Sequence, residues 1–187
     1  ARGVSSKLTR WVRQGATPAG SATASVLVGG ADLEMTDPRL NVAFLVPDLR
    51  REYGGCAGNI AYGLKLLGEE PLVMATVGHD FGPYEHRMDK LGLSRRHVRR
   101  LDEHFTAQAF ITTDLDDNQI TAFHPGAMSQ SHLNRIAETD GVRLAIVSPD
   151  GRQGMVEHAR DLARAKIPYV LDPGQGLPMF SGEDLLE

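Results

Sequence analysis

Two consecutive glycines directly before a helical pattern constrain this chain more than any other feature of its sequence. The stretch from Tyr53 to Gly68 reads YGGCAGNIAYGLKLLG, and its apolar residues recur at a helical spacing after Asn59. We therefore predict a backbone turn at Gly54 and Gly55 that feeds an amphipathic helix opened by Asn59. The free amide groups at such a helix start suit hydroxyl or phosphate oxygens, and the same pattern also fits an ordinary tight turn.

Short apolar runs alternate with helical patterns along the rest of the chain. Apolar runs bounded by proline or glycine are typical of strands that are buried on both faces of a parallel sheet. We predict strands over Ala24–Val28, Leu40–Val46, Leu72–Val77, Leu144–Ser148 and Pro168–Leu171, and helices over Pro83–Leu91 and Gln153–Ala165. The alternation predicts an α/β fold with a doubly wound, mostly parallel sheet and ligands at the carboxyl ends of its strands.

Three polar loops follow predicted strands, and we expect them to converge at that ligand face. They are Gly78–Asp80, Ser148–Asp150 and Asp172–Gln175. Asp80 and Asp172 could each contact a ligand there. Each could equally cap the next helix or accept hydrogen bonds from loop amides.

Two further β-rich runs interrupt the α/β alternation. Ala107–Thr113 and Gln119–Phe123 are separated by a short polar segment, which predicts an antiparallel hairpin. A hairpin in this position is a candidate for a flap over a ligand site. Near the end of the sequence, Ser181-Gly-Glu-Asp184 predicts the capping-box start of another helix, and we expect the sequence to be a fragment of a longer protein.

Composition narrows the classes of partner. With 187 residues, 41% of them hydrophobic and 24% charged, the chain is ordinary for one compact globular domain. A formal charge of -4 does not indicate a nucleic-acid partner, and we interpret the basic run Arg95–Arg100 as solvated surface. No apolar run reaches the roughly 18 residues of a membrane span. The single Cys56 cannot form an internal disulfide, so we expect a reducing, cytoplasmic location.

Several enzyme classes lose support because their motifs are missing. The sequence contains no Walker loop, no zinc-type pairing of cysteine and histidine, and no Gly-x-Ser-x-Gly elbow. The seven histidines are scattered and show no i, i+4 pair with an intervening glutamate. No metal site is therefore predicted.

Several motifs in the right order carry a resemblance to a known family. The motifs are Gly54-Gly55-Cys56-Ala57-Gly58-Asn59-Ile60-Ala61, Leu67-Gly68, Val77-Gly78-His79-Asp80-Phe81-Gly82 and Leu91-Gly92-Leu93. Their order and spacing resemble the N-terminal portion of the ribokinase-like, or PfkB, family of carbohydrate and nucleoside kinases. The loops His124–Ala127 and Asp172–Gln175 are most similar to the adenosine-kinase-like branch. The resemblance runs from Leu40 onward, so we expect residues 1–39 to be a divergent or poorly ordered segment and residues 40–187 to be a partial kinase domain.

The resemblance implies ATP-dependent phosphoryl transfer, with Mg²⁺, to a hydroxyl group of a sugar or nucleoside such as ribose or adenosine. It assigns Gly54, Gly55 and Asn59 to the binding of the sugar hydroxyls. It also implies a small β-sheet lid on a ribokinase-like fold, formed by strand Leu40–Val46 and hairpin Ala107–Phe123, through which a homodimer could form. The predicted lid residues are Phe44, Phe110 and Phe123.

The catalytic motifs of that family are missing from this chain. Neither its Gly-Ala-Gly-Asp loop, which carries the catalytic base, nor its Asn-x-x-Glu motif occurs, so no catalytic residue is assigned. We expect the chain to supply the substrate-binding half of a parent kinase, inactive alone and without binding of ATP and Mg²⁺ by itself. The alternative is a non-catalytic binding or interaction module on a kinase fold. A dinucleotide-binding domain is disfavoured, because the second half of its glycine fingerprint is missing.

Overall fold

The computed structural model describes Val46, residues 49–114 and residues 116–186. In this part of the chain the contacts define two units. The larger unit contains Gly54–Gln108 together with the described residues from His124 onward. The smaller one contains Ala109–Phe123 and the described residues up to Tyr53, and each unit is described by itself below.

Some of the sequence predictions fall outside the described residues. These are the strand over Ala24–Val28, the strand over Leu40–Val46 except Val46 itself, the lid residue Phe44 and the boundary between residues 39 and 40.

Six strands form in the described part of the chain. In order they are β1 (Leu72–Gly78), β2 (Ser94–Leu101), β3 (Gln108–Thr113), β4 (Gln119–His124), β5 (Ala145–Val147) and β6 (Tyr169–Leu171). They pair as β1 with β2, β3 with β4, and β5 with β6. The first and third of these pairs are parallel, as expected for a mostly parallel α/β sheet.

The described helices fall between these strands. The α-helices are α1 (Cys56–Leu66), α2 (Gly82–Lys90), α3 (Arg152–Arg164) and α4 (Gly182–Leu186), and the 3₁₀ segments are Gly126–Leu133, Ile136–Glu138 and Gly174–Met179. None of the helices in this part of the chain is long and apolar enough to cross a membrane.

The first parallel pair carries the larger apolar core. Helix α1 contacts β1 and helix α2 contacts β2. The buried residues of this cluster are Ala61, Val73, Val77, Phe81, Met88 and Leu93. The core thus fixes the two loops that follow Gly78 and Leu101 at the carboxyl ends of β1 and β2.

Strand β2 is an element that the sequence prediction omits. The run Arg95–Arg100 lies within it, and all four of its arginines are exposed, as the interpretation of a solvated surface requires. The run is nevertheless a strand because its backbone pairs with buried β1, where Met74 lies opposite His97 and Ala75 lies opposite Val98. Backbone pairing to a buried neighbour outweighs the low strand propensity of a basic sequence.

A second, smaller core lies between α3 and the pair β5–β6. Its buried residues are Val147, Met155 and Leu162, and Met155 has no exposed surface. The amide of Asp172 donates to the Val147 carbonyl over 2.9 Å, so the loop after β6 is fixed beside the end of β5.

The 3₁₀ segment Gly126–Leu133 contacts both β1 and α3. The buried hydroxyl of Thr76 in β1 donates to the Ala127 carbonyl over 2.7 Å. Farther along, Nε2 of His158 in α3 lies 2.9 Å from the Asn134 carbonyl and forms a hydrogen bond with it. These buried polar contacts join the two cores.

Most of the predicted hairpin, β3 and β4 with the turn after Asp114 between them, lies in the smaller unit. The Asp114 carboxylate accepts hydrogen bonds from the amides of Asp116 and Asn118 and from the Asn118 side chain, at 2.8 to 2.9 Å. The side-chain hydrogen bond from Asn118 is the largest cause that holds the pKa of Asp114 below its ordinary value. Asp114 therefore organises the turn.

Most predicted element boundaries agree with the structure to within two residues. The main difference is α1, which begins at Cys56 and so starts three residues before Asn59. The predicted capping box is confirmed, because the Ser181 amide donates to Asp184 Oδ2 over 2.8 Å and the Asp184 amide donates to Ser181 Oγ over 3.1 Å.

Candidate functional site

The predicted glycine turn is present at the start of α1. Gly55 is the residue before the first helical turn, and its φ of 93° is a conformation that favours glycine. A Cβ placed on Gly54 or Gly55 would meet no heavy atom within 4 Å, and both residues are exposed. No side chain caps this helix start. The first-turn amides of an 11-residue helix are thus available to a ligand that approaches the turn.

Asn59 lies at the end of that first turn and does not open the helix. Its backbone amide donates to the Gly55 carbonyl over 3.0 Å, so only its side chain is available to a ligand. The side chain is exposed, and its amide group makes no hydrogen bond with the described residues. Gly54, Gly55 and Asn59 therefore lie together at one end of α1, with two amide hydrogens and one carbonyl oxygen offered by Asn59.

Tyr84, on α2, anchors this turn, and its role was not predicted from the sequence. Its hydroxyl donates to the Gly54 carbonyl over 2.9 Å, and its ring stacks on Phe81 with centroids 5.2 Å apart. The hydroxyl comes so close to α1 that a Cβ on Gly58 would overlap it. Burial raises the pKa of Tyr84, so its hydroxyl stays protonated as a donor. Gly58 is thus required for packing, and Tyr84 positions the turn.

The loop after β1 is held mainly by Asp80. Its two carboxylate oxygens accept hydrogen bonds from the Thr106 amide at 2.7 Å and from the Gln108 side chain at 2.8 Å. Burial by itself would raise the pKa of Asp80, but the hydrogen bonds from the backbone and side chain of Thr106 hold it below its ordinary value. The sequence leaves three roles open to Asp80, namely contact with a ligand, capping of the next helix and bonding of loop amides, and the structure supports the bonding of loop amides.

The loops after β5 and β6 lie side by side. Gly174 packs on the ring of Pro149, and Asp172 Oδ1 accepts the Gly174 amide over 2.9 Å. Asp172 is exposed, and one of its carboxylate oxygens is used within its own loop. The predicted convergence is therefore observed for these two loops, whereas Gly78–Asp80 makes hydrogen bonds to residues 104–108 and to Arg100.

Asp150 is the most perturbed acid in the larger unit. Burial raises its pKa to about 6, although the amide of Gly151 and the side chain of Ser131 act in the opposite direction. The Gly151 amide donates to Asp150 Oδ1 over 2.8 Å. Asp150 lies two residues before the first residue of α3, and one of its hydrogen-bond partners is the neighbouring Gly151.

The remaining predicted site residues belong to the hairpin. Phe110 on β3 and Phe123 on β4 are exposed by 39% and 54%, so both present apolar surface to solvent. Among the described residues, no group of three or more histidine, cysteine, aspartate or glutamate side chains is placed to hold a metal ion.

Parallel strand pairs with helices between them define an α/β protein, a class in which small ligands commonly bind at the carboxyl ends of the strands. The family model for pfkB family carbohydrate kinases matches residues 23–179, and the chain belongs to this family. The predicted family resemblance is thereby confirmed. The matched segment begins at residue 23. The sequence motifs place the start of the resemblance later, at Leu40.

The chain is similar to nucleoside kinases. It is 35% identical over 159 residues to one from Methanocaldococcus jannaschii, covering 80% of this chain and 50% of the relative. Its structure is similar to that of Burkholderia thailandensis nucleoside kinase in complex with inosine, with 60% identity, a TM-score of 0.76, and coverage of 79% and 50% of the two chains. For the Methanocaldococcus jannaschii nucleoside kinase structure, described as an archaeal member of the ribokinase family, the identity is 31%, the TM-score 0.72, and the coverage 80% and 50%.

These likenesses confirm the ribokinase-like fold. The chain spans about half the length of the relatives that it matches.

Proposed function

We propose that this chain supplies the substrate-binding half of a nucleoside kinase, which phosphorylates a hydroxyl group of a purine nucleoside such as inosine or adenosine. In this proposal Gly54, Gly55 and Asn59 bind the ribose hydroxyls. The support is the similarity to a nucleoside kinase whose structure contains inosine, together with the family membership of the chain.

The single observation that carries the proposal is the open glycine turn. An exposed turn with a φ of 93° at Gly55, no capping side chain and an unbonded Asn59 side chain leaves donors and acceptors facing solvent. Hydroxyl groups of a sugar both donate and accept hydrogen bonds, so they match this set. The turn is held in place by Tyr84, which lowers the entropy lost when a ligand binds.

The chemistry of phosphoryl transfer belongs to the complete kinase in this proposal. ATP with Mg²⁺ would supply the transferred phosphoryl group there, and no residue of this chain is assigned to hold either. The role of this half is to fix the nucleoside so that its hydroxyl group is oriented for attack, which is a large part of catalysis in this reaction class. We propose a cytoplasmic location because Cys56 is a free, exposed thiol that suits a reducing compartment.

We also propose that the hairpin Ala107–Phe123 acts as the lid. The exposed rings of Phe110 and Phe123 are apolar surface that a bound nucleoside or the hairpin of a second copy could cover. Every residue of β4 is exposed, which makes that strand available for such a contact.

Calorimetric titration of the purified 187-residue chain with inosine tests the proposal. We expect saturable binding, and no transfer of phosphate to inosine when ATP and Mg²⁺ are added. Gln153→Ala, on the exposed side of α3, is the matched control for Asn59→Ala and should bind inosine as the wild type does.

Absence of inosine and adenosine binding would overturn the substrate-binding role. Phosphorylation at a rate near that of a complete nucleoside kinase would overturn the inactivity of this half. Binding without phosphorylation also fits the non-catalytic module, which is excluded if the reading frame continues past Glu187 into a Gly-Ala-Gly-Asp motif.

A further inference from the structure

A bulge in β2 gives the basic run Arg95–Arg100 a feature that the proposed function does not use. Leu72 of β1 lies opposite Ser94, but Met74 lies opposite His97, so two steps along β1 correspond to three along β2. An extra residue in one strand breaks the alternation of side chains and redirects one of them. Next to this bulge, four consecutive residues of β2, Arg96 to Arg99, line one pocket.

This pocket has a volume of about 230 Å³ and lies over the middle of the β1–β2 pair. Its lining residues are Met74, Arg96, His97, Val98, Arg99, Asn134 and Glu138. A water molecule occupies about 30 Å³ in the liquid, so the pocket has room for a small polyatomic ligand.

Asn134 lines the pocket and carries a buried donor. The residue is only 4% exposed, and its Nδ2 has no hydrogen-bond partner in the described part of the chain. The orientation of the amide is fixed, because Oδ1 accepts a hydrogen bond from Arg99 Nε over 3.2 Å and a flipped amide would place two donors together. An unpartnered buried donor is costly, and an acceptor atom of a ligand would satisfy it.

Among the arginines that line the pocket, Arg96 carries the unpaired positive charge. Arg99 is already paired with Glu138 at 3.5 Å. Outside the pocket, Arg95 is paired with Asp89 at 2.9 Å and Arg100 with Asp102 at 2.6 Å. The guanidinium group of Arg96, by contrast, makes no ion pair with the described residues. One uncompensated guanidinium group and one free amide donor favour a ligand that is anionic and rich in oxygen acceptors.

We propose that this pocket binds a small oxyanion, either inorganic phosphate or the phosphate group of a metabolite. The pocket lining includes none of Gly54, Gly55, Asn59 and Tyr84, so the site is separate from the proposed nucleoside site. Occupation of the pocket satisfies Asn134 and neutralises Arg96, so the oxyanion stabilises the folded chain by binding only to it.

Thermal unfolding of the 187-residue chain in sodium phosphate, against sodium chloride at matched ionic strength, tests the proposal. We expect a saturable rise in Tm with phosphate. Arg96→Gln should weaken the apparent affinity at least about tenfold, as expected from the loss of a charged hydrogen bond. Arg164→Gln removes the same charge from the exposed end of α3 and should leave the phosphate effect unchanged.

Asn134→Asp is the second variant and separates binding from stability. It keeps the acceptor for Arg99 but replaces the free donor with a carboxylate oxygen, so the folded chain retains its contact and loses phosphate binding. Titration of glycerol phosphate beside inorganic phosphate identifies the source, because the tighter ligand is the one that the site is built for. Arg96→Gln should also bind inosine as the wild type does.

Two results would overturn the proposal. One is the absence of a saturable phosphate effect in the wild type, as expected if Asn134 binds only water. The other is an equal phosphate effect in the wild type, Arg96→Gln and Asn134→Asp.

Discussion

Helices α1 and α3 start in the same way, yet their surroundings are opposite. Each begins after a glycine, Gly55 or Gly151, and neither has a side-chain cap. At α1, a Cβ on Gly55 would meet no heavy atom within 4 Å. At α3, a Cβ on Gly151 would lie 3.0 Å from the Met128 carbonyl oxygen, and one on Gly154 would overlap Ser131.

The difference shows what separates a binding site from a packing contact in this molecule. The chain's own 3₁₀ segment covers the start of α3, so its glycines are there to admit backbone and the hydroxyl of Ser131. The start of α1 stays open to solvent, while Tyr84 holds its glycine turn from one side. A glycine at a helix start is therefore evidence for a ligand only where the chain leaves the space empty.

The largest effect should be the pH dependence that Asp150 gives to the covered helix start. Its pKa rises from 3.8 to about 6 on folding, so between these pH values the folded chain binds more protons than the unfolded chain. The free energy of unfolding therefore falls by roughly 3 kcal/mol from this group as pH rises from about 4 to 6. Above pH 6 this contribution is constant. Asp150→Asn should remove this loss and unfold at higher urea concentration than the wild type at pH 7.5.

Urea unfolding of both proteins between pH 4.5 and 7.5 measures this effect. The gap between the two curves should widen as pH rises toward 6. A gap that does not vary with pH would show that Asp150 is not a buried proton-binding group.

The next effect comes from filling the glycine positions of the two helices. Gly154→Ala places a methyl group against buried Ser131 and should lower the free energy of unfolding by about 2 kcal/mol. Gly63→Ala, inside α1, meets no atom within 4 Å and should raise it by about 0.5–1 kcal/mol, because alanine favours helix. Chemical denaturation measures both values, and destabilisation by Gly63→Ala would contradict the open surroundings of α1.

A smaller effect is expected from the hydroxyl that anchors the open turn. Tyr84→Phe keeps the stacking on Phe81 but removes the hydrogen bond to the Gly54 carbonyl, at a cost of about 1 kcal/mol in unfolding free energy. Inosine binding should weaken as well, because the turn is less well ordered. Tyr62→Phe removes a hydroxyl from an exposed ring on α1 and serves as the control. Equal inosine affinity in all three proteins would show that Tyr84 does not position the turn.

The elements with strong local signals could be predicted from the sequence. Strand β1 and helix α3 have apolar patterns bounded by glycine or proline, and both occur close to their predicted positions. The glycine turn and the capping box at Ser181 were predictable because their chemistry is local. Strand β2 was not predictable, since its six central residues are RRHVRR and its strand conformation depends on pairing with β1.

The site was predictable only in part for the same reason. Gly54, Gly55 and Asn59 are neighbours in sequence, so a motif shows them together. Tyr84 reaches Gly54 across 30 positions, and that contact depends on how α1 and α2 pack on the first core. The absence of a side chain at Gly58 was a possible signal, but it does not show which residue fills the space.

The role of Asn59 in binding ribose hydroxyls is the central claim, and a ligand that lacks those hydroxyls tests it most directly. Calorimetric titrations would compare the wild type and Asn59→Ala with inosine and with 2′,3′-dideoxyinosine. If Asn59 binds the 2′ or 3′ hydroxyl, the substitution should weaken inosine binding by about 1–3 kcal/mol and leave the affinity for the dideoxy ligand nearly unchanged. Equal losses for both ligands, or no loss with inosine, would contradict the account.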